Sequence, residues 1–333
     1  MPSLKAVRRL LPAHVFAAHA VIAAGAACAH AGEAEPARDL LANRPTSPAP
    51  AQPGWLIAVD NWQTLEGGAN VNRIKQRTTG VYGGGEFEAG AGWRLGGALG
   101  ATRSRVRIDA ADLRLDVYSY TAGVYGKRSF LAGAGKLNLL AGASYTWHDI
   151  DTKRHFEMPG VIPRQTLTAD LSAYTAQVFS ELGYELPLSG IASIEPFAGA
   201  AWRNVRTRGF SESGGSTALS ADAGRIVQTT ATLGVRGQAG FVLGPTVGRL
   251  HATLGWRGAF GDVQPETTLA LDGGSVLTVT GAPISRSAAL AGVGAELAVS
   301  RSAVIGLAYG GQYGGGSREH TGSLSLRWAF GSL

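Results

Sequence analysis

From about Trp55 to Phe330 the chain is written in segments of roughly ten residues in which large apolar residues alternate with small or polar ones. Between Lys136 and His148, for example, Leu137, Leu139, Ala141, Ala143, Tyr145 and Trp147 share one parity, and Asn138, Gly142, Ser144 and Thr146 share the other. Successive side chains of an extended chain point to opposite sides, so a period of two predicts a strand with one apolar face. The alternation recurs through Tyr118, Tyr120, Ala122 and Val124, and through Tyr174, Ala176, Val178, Leu182 and Tyr184. It recurs again through Ile194, Ala198, Ala200 and Trp202, through Leu250, Ala252, Leu254 and Trp256, and through Leu324, Leu326, Trp328 and Phe330. Many of these series end in an aromatic, whose amphipathic ring suits the boundary between lipid and water.

The connections are of two kinds. Those around Glu88 to Gly92, Phe130 to Gly135, Pro187 to Gly190, Gly244 to Gly248 and Ser300 to Arg301 read as short turns. Those around Arg103 to Leu115, Ile150 to Asp170, Arg206 to Arg225 and Gly261 to Ser285 read as long loops. Short turns on one side and long loops on the other are the pattern of a bacterial barrel inserted from the periplasm. Eleven strands can be placed on periodicity: 79–88, 93–103, 116–128, 136–149, 172–184, 191–206, 226–241, 248–260, 286–299, 302–314 and 318–330. An antiparallel single-chain barrel needs an even number. Gly54 to Gly68, with Trp55, Ile57, Val59 and Trp62, is the place for a further first strand, although its periodicity is poor. The fold expected is therefore all-β: a transmembrane antiparallel up-and-down β-barrel of twelve strands, with a short N-terminal segment in its lumen. A soluble sandwich would alternate too, but strand length, terminal aromatics and the two kinds of connection favour the barrel. No run of about 18 to 20 strongly apolar residues follows the N-terminus, which excludes a helical membrane protein.

The N-terminal region changes the picture by setting a compartment. Lys5, Arg8 and Arg9 precede an apolar, alanine-rich stretch from Leu10 to Ala29, and Ala29-His30-Ala31 supplies a small-x-small site before Gly32. This is the layout of a secretory signal, with cleavage expected between Ala31 and Gly32. Prolines at 36, 45, 48, 50 and 53 make the next stretch an extended linker. The division expected is a signal peptide over 1–31, a linker or luminal segment over 32–54, and a barrel over 55–333. Cys28, the sole cysteine, falls inside the signal, and Gly25 stands where a lipoprotein site carries a larger apolar residue.

Composition adds exclusions. The net charge of +6 falls to +3 once Lys5, Arg8 and Arg9 are removed, and no window concentrates Lys and Arg among interleaved aromatics. Nucleic-acid binding is therefore not expected. His148, His155, His251 and His320 are widely spaced and lack a second ligand at i+2 to i+4, so no metal or other cofactor is implied. A catalytic pair could be drawn from His148 with Asp149 or Asp151, but polar residues at strand ends are common in any barrel. The glycine-rich run Gly80 to Gly85 lacks a following Lys-Ser/Thr and helix, and reads as a strand whose small residues leave room inside the barrel. Charges within strands, namely Arg94, Glu181, Glu195, Arg236, Arg257, Glu296 and Arg327, fall on or near the polar parity. A charge at the lipid midplane costs roughly 2–4 kcal/mol, so each is expected in the lumen.

The run Leu250 to Asp262, with Gly281-Ala282-Pro283-Ile284 and Ala308 to Gly314 after it, resembles the autotransporter β-domain of type V secretion. Gly123-Val124-Tyr125-Gly126 and Glu195-Pro196-Phe197-Ala198-Gly199 extend the resemblance over about residues 55 to 330. It implies a twelve-stranded barrel in the outer membrane of a Gram-negative bacterium, threaded by the segment that joins it to an N-terminal passenger. It also implies outer-membrane lipid, periplasmic chaperones and the barrel assembly machinery as partners, acting on a monomer. Leu324, Leu326, Trp328 and Phe330 match the terminal-strand assembly signal, with Gly331-Ser332-Leu333 beyond it. Only some twenty residues separate the expected cleavage site from the barrel, so the passenger is very short. Asn43, in Ala42-Asn43-Arg44-Pro45, does not match a self-cleavage junction. The function expected is a non-enzymatic translocator-type barrel that holds or exports a short N-terminal segment. The alternatives are an outer-membrane barrel enzyme of lipase or protease type, or a simple porin or adhesin.

Overall fold

A computed structural model describes residues 53–66, 73–108, 112–264, 266–271, 276–280 and 284–329. The expected signal, its cleavage site at Ala31 and Gly32, Asn43 and Phe330 lie outside the described residues.

The first strand, β1 (Pro53–Leu65), occupies the place that parity demanded. Its periodicity is weak because both parities are apolar: Trp55, Ile57 and Val59 are buried, while Leu56 and Trp62 are exposed on the outer surface. There follow β2 (Ile74–Glu88), β3 (Trp93–Ile108), β4 (Leu113–Ala132), β5 (Gly135–Met158), β6 (Ile162–Pro187) and β7 (Ala192–Thr207). After the short β8 (Phe210–Ser211) and β9 (Leu219–Ala221) come β10 (Gly224–Leu243) and β11 (Thr246–Gly261). The chain continues with β12 (Glu266–Leu271), β13 (Val276–Thr280), β14 (Ser287–Ala298), β15 (Ala303–Gly314) and β16 (Ser317–Ala329). Twelve of these close an antiparallel barrel, sealed where Pro53 to Leu65 of β1 pair with Ala329 to Ser317 of β16. Closure leaves no unpaired edge inside a solvent that cannot hydrogen-bond.

At one end the barrel strands are joined by short turns, two of which place Gly133 and Gly244 in the left-handed region, at φ 58° and 60°. At the other end the strands run much further than expected. The stretches Arg103 to Leu115 and Ile150 to Asp170 are not long loops: β3 continues to Ile108, β4 starts at Leu113, β5 reaches Met158 and β6 starts at Ile162. The stretches Arg206 to Arg225 and Gly261 to Ser285 do leave the barrel, but they carry β8, β9, β12 and β13, which form a second sheet in the order β13-β12-β9-β8.

The physical reason is a reversal of polarity within single strands. Along the lower part of β5 the outward residues are Leu137, Leu139, Ala141, Ala143, Tyr145 and Trp147, and the inward ones include Ser144, Thr146 and His148. Beyond Trp147 the outward residues become Asp149, Asp151 and Lys153, and the inward ones include Ile150 and Phe156, both buried. Inward-facing Val106, Ile108, Leu113, Leu115, Val117, Leu167 and Leu171 are likewise buried. Lipid outside favours apolar outward residues; water outside favours the opposite parity.

The second sheet is tied to this apolar interior. Arg154 donates Nε to Glu212 Oε1 at 3.1 Å and Nη2 to Glu212 Oε2 at 2.5 Å, with both side chains buried. The amides of Thr168 and Ser213 bond each other's carbonyls at 3.0 and 2.9 Å, and Thr217 Oγ1 donates to Gln165 at 2.9 Å.

Candidate functional site

The lumen is the candidate site, because the barrel turns most of its chemistry inward. All seven charges singled out in the sequence lie on the inward parity of their strands. They form separate groups rather than one ring. Arg236 sits between two acids, with Nη2 2.6 Å from Glu181 Oε1 and Nη1 3.8 Å from Glu195 Oε2. Its guanidinium lies 3.9 Å from the centre of the Phe197 ring, and Asn138 Nδ2 donates to Glu195 at 2.9 Å. Removing ions from water is costly, and it is offset here by paired charge, an amide donor and a ring face. Further round the same wall, across β11, β14 and β16, Arg327 pairs with Glu296, whose other oxygen lies 4.0 Å from Arg249 Nη1. Arg257 Nη1 donates to Gln312 Oε1 at 2.6 Å. Arg94 departs from the group: it sits near the short-turn rim, 3.5 Å from the exposed Glu88.

Several luminal groups were not singled out in the sequence. Glu86 accepts from Lys127 Nζ at 2.5 Å and from Tyr125 OH at 3.0 Å, and Trp55 Nε1 donates to that same hydroxyl at 3.0 Å. Asn61 donates to Glu319 and to Thr321, both at 2.7 Å. Their strands are far apart in sequence, so only the inward parity could have flagged them. Around Trp55, the side chains of Ile57, Val59, Tyr82, Tyr125, Leu140 and Phe179 pack into an apolar cluster inside the barrel. The lumen therefore has a polar wall and an apolar one.

The glycines explain how large rings fit inside. Trp55 stands directly opposite Gly84, Tyr82 opposite Gly100, Tyr125 opposite Gly96, Phe179 opposite Gly142 and Phe197 opposite Gly234. A Cβ at Gly100 would lie 2.2 Å from the Tyr82 ring, and one at Gly96 would lie 2.3 Å from that of Tyr125. The room left by the glycine-rich strand is filled by the rings of neighbouring strands.

The His–Asp pair drawn from sequence is not formed, because His148 faces inward while Asp149 and Asp151 face outward. His148 instead bridges three strands, with Nδ1 2.9 Å from Ser119 Oγ and Nε2 2.9 Å from Thr175 Oγ1. Among the described residues no three His, Cys, Asp or Glu side chains gather as a metal-binding group. Leu324 and Leu326 lie on the outer surface of β16, Trp328 shares their parity, and Phe330 falls outside the described residues.

A closed twelve-stranded barrel with an apolar belt and a charged interior defines an integral membrane barrel. The autotransporter beta-domain family matches residues 54–310, and the chain belongs to that family. It is an outer-membrane β-barrel of the autotransporter type, in the outer membrane of a Gram-negative bacterium. Among solved structures it is similar to the translocator domain of the autotransporter NalP from Neisseria meningitidis, at 16% identity and a TM-score of 0.66, over 89% of this chain and 93% of that one. It is similar also to the beta domain of the Bordetella autotransporter BrkA, at 17% identity and a TM-score of 0.58, over 84% of this chain and all of that one (100%). In sequence it is 31% identical over 279 residues to an extracellular serine protease of Serratia marcescens. That match covers 83% of this chain and 26% of the protease, so the chain spans about a quarter of the relative's length.

Proposed function

We propose that the barrel holds or conducts a short segment of its own N-terminal chain between the periplasm and the cell surface, without catalysing a reaction itself. The observation that carries this reading is where β1 begins. Pro53 pairs with Ala329 at the short-turn end, which faces the periplasm, so the chain before it enters beside a lumen lined on one side by paired charges and on the other by Trp55, Ile57 and Val59. Residues 32–53 would reach about 70 Å if extended. That is more than twice the roughly 30 Å of a hydrocarbon layer. As a helix they would span about 33 Å, which is still sufficient.

In this reading residues 1–31 direct export and are removed after Ala31, 32–54 form the segment handled by the barrel, and 55–333 form the barrel domain. Leu324, Leu326, Trp328 and Phe330 form the signal read by the barrel assembly machinery after delivery by periplasmic chaperones, and the inserted unit is a monomer. The test is an epitope inserted after Gly32 and probed with antibody on intact cells. Surface staining on cells whose outer membrane is whole is the expected result. Staining only after permeabilisation would overturn the reading.

A further inference from the structure

The outer surface just beyond the membrane belt carries a charge pattern that barrel closure does not require. The belt ends on β4, β5 and β6 in a row of directly opposed aromatics, Tyr120, Trp147 and Tyr174. Further toward the long-strand end, on the same outward parity, Arg77 stands opposite Arg105. In the next outward row Lys75 is opposite Arg107, Arg107 opposite Arg114, and Arg114 opposite Lys153. Four cations from four neighbouring strands thus form one line with no acid in it. Directly opposed side chains have Cβ atoms about 5 Å apart, and like charges in that relation destabilise a sheet. Among the described residues Arg107, Arg114 and Lys153 have no ion-pair partner.

The neighbouring acids do not cancel the line. Asp60 accepts from Arg77 Nε and Nη2, at 3.0 and 2.7 Å, and Asp116 is shared by Arg103 at 2.9 Å and Arg105 at 3.7 Å. Asp151 and Asp170 oppose each other on β5 and β6, so negative charge gathers at that side and the cationic excess lies over β2, β3 and β4. Two of the arginines are also seated at the ring level of the interface. Arg77 lies 5.5 Å from the centre of the Trp62 ring and Arg103 5.1 Å from that of Tyr118, each directly opposite its ring on the neighbouring strand.

We propose that this line, Lys75, Arg107, Arg114 and Lys153 with Arg77 and Arg105 beneath it, binds the phosphate groups of an anionic glycolipid in the cell-surface leaflet. Three features select that ligand. The side chains point outward from the barrel wall, just past the membrane, so the partner approaches from the side. They lie beyond the apolar belt, Arg114 and Lys153 six residues past Tyr120 and Trp147, and so outside the acyl chains. The line runs about 15 Å across three strand spacings from Lys75 to Lys153, which suits a lipid carrying more than one phosphate, with Arg107 and Arg114 each able to take two oxygens of one group. The phosphate supplies the counter-charge that Arg107, Arg114 and Lys153 lack among the described residues. The inference rests on the outer-membrane placement and is independent of what passes through the lumen.

The test is native mass spectrometry of the refolded full chain titrated with bisphosphorylated lipid A, with its monophosphorylated form and with phosphatidylcholine. Bisphosphorylated lipid A is expected to bind most tightly, and inorganic phosphate in millimolar excess to leave it bound. The variant Arg107→Gln/Arg114→Gln/Lys153→Gln should bind it roughly 100-fold more weakly, about five-fold for each cation removed. Arg128→Gln, which alters an outward arginine near the short-turn end, should bind as the parent does. Equal binding by parent and triple variant, equal binding of phosphatidylcholine, or full displacement by inorganic phosphate would each overturn the proposal. Heat-modifiable migration reports whether the triple variant is folded; if it is not, Arg114→Gln alone decides, with a five-fold loss expected and no change contradicting.

Discussion

The two halves of β5 use the same alternation to opposite ends. From Leu137 to Trp147 the outward parity is apolar and the inward parity carries Asn138, Ser144, Thr146 and His148. From Asp149 to Phe156 the outward parity is charged, and Ile150 and Phe156 are buried inside. Nothing in the backbone marks the change: β5 keeps an unbroken antiparallel register with β6 from Lys136 to Phe156. What changes is the solvent on the outside. Inside the membrane the barrel wall is a sheet with an apolar exterior and a polar core; past it the same wall behaves as a soluble protein does. The projecting half thus needs something to cover its inner face, and the sheet of β8, β9, β12 and β13 is anchored there.

This contrast can be broken at several points. The largest effect should come from the ion pair set into the apolar upper interior. Glu212→Ala strands Arg154 with its side chain only 4% exposed, and losing one member of such a pair costs about 3–5 kcal/mol. Limited proteolysis should show early cutting within residues 208–223 while the barrel itself stays folded. Replacing both members with Leu should recover much of the loss. Next, the outward parity should respond to charge according to depth. Ala143→Arg within the belt should cost about 2–4 kcal/mol in urea titrations of bilayer-inserted protein. Asp151→Arg, four outward positions on, should change stability by less than about 0.5 kcal/mol. The inward parity sharpens the contrast from the other side. Leu167→Ala, fully buried in the upper half, should cost about 2–3 kcal/mol, seen as faster hydrogen exchange of the β5–β6 hairpin. Thr121→Val in the lower half breaks only the 2.9 Å contact with Thr146, and should cost about 1 kcal/mol.

The belt was legible in the sequence because lipid imposes one apolar parity for the length of a crossing, and the series from Leu137 to Trp147 or from Leu250 to Trp256 record it directly. The upper strands were not. When the apolar parity shifts from Trp147 to Ile150, an unbroken strand looks like the end of one, which is why Ile150 to Asp170 and Arg103 to Leu115 read as loops. β1 was hidden for a related reason, since Trp55, Ile57 and Val59 fill the lumen while Leu56 and Trp62 face outward. The inward direction of Arg236, Glu181 and Glu296 followed from the cost of charge in lipid, but their partners did not. Arg236 meets Glu181 from 55 residues away, a neighbour that only strand order supplies. The cationic line was invisible for the same cause: Lys75, Arg107, Arg114 and Lys153 sit in no single basic window of the sequence and become neighbours only through register. The family resemblance supplied the translocator role that alternation alone could not.

The central claim is that one continuous strand passes from lipid to water at Trp147 without changing direction or register. Single cysteines placed from 137 to 156 in a chain carrying Cys28→Ser, labelled in reconstituted membranes, test it most directly. Positions 137 to 147 of the outward parity should react with a lipid-soluble reagent only, 149, 151 and 153 with a water-soluble one, and 150 and 156 with neither. Uniform reaction of every position from 149 to 156 with the water-soluble reagent would show a loop there and contradict the account.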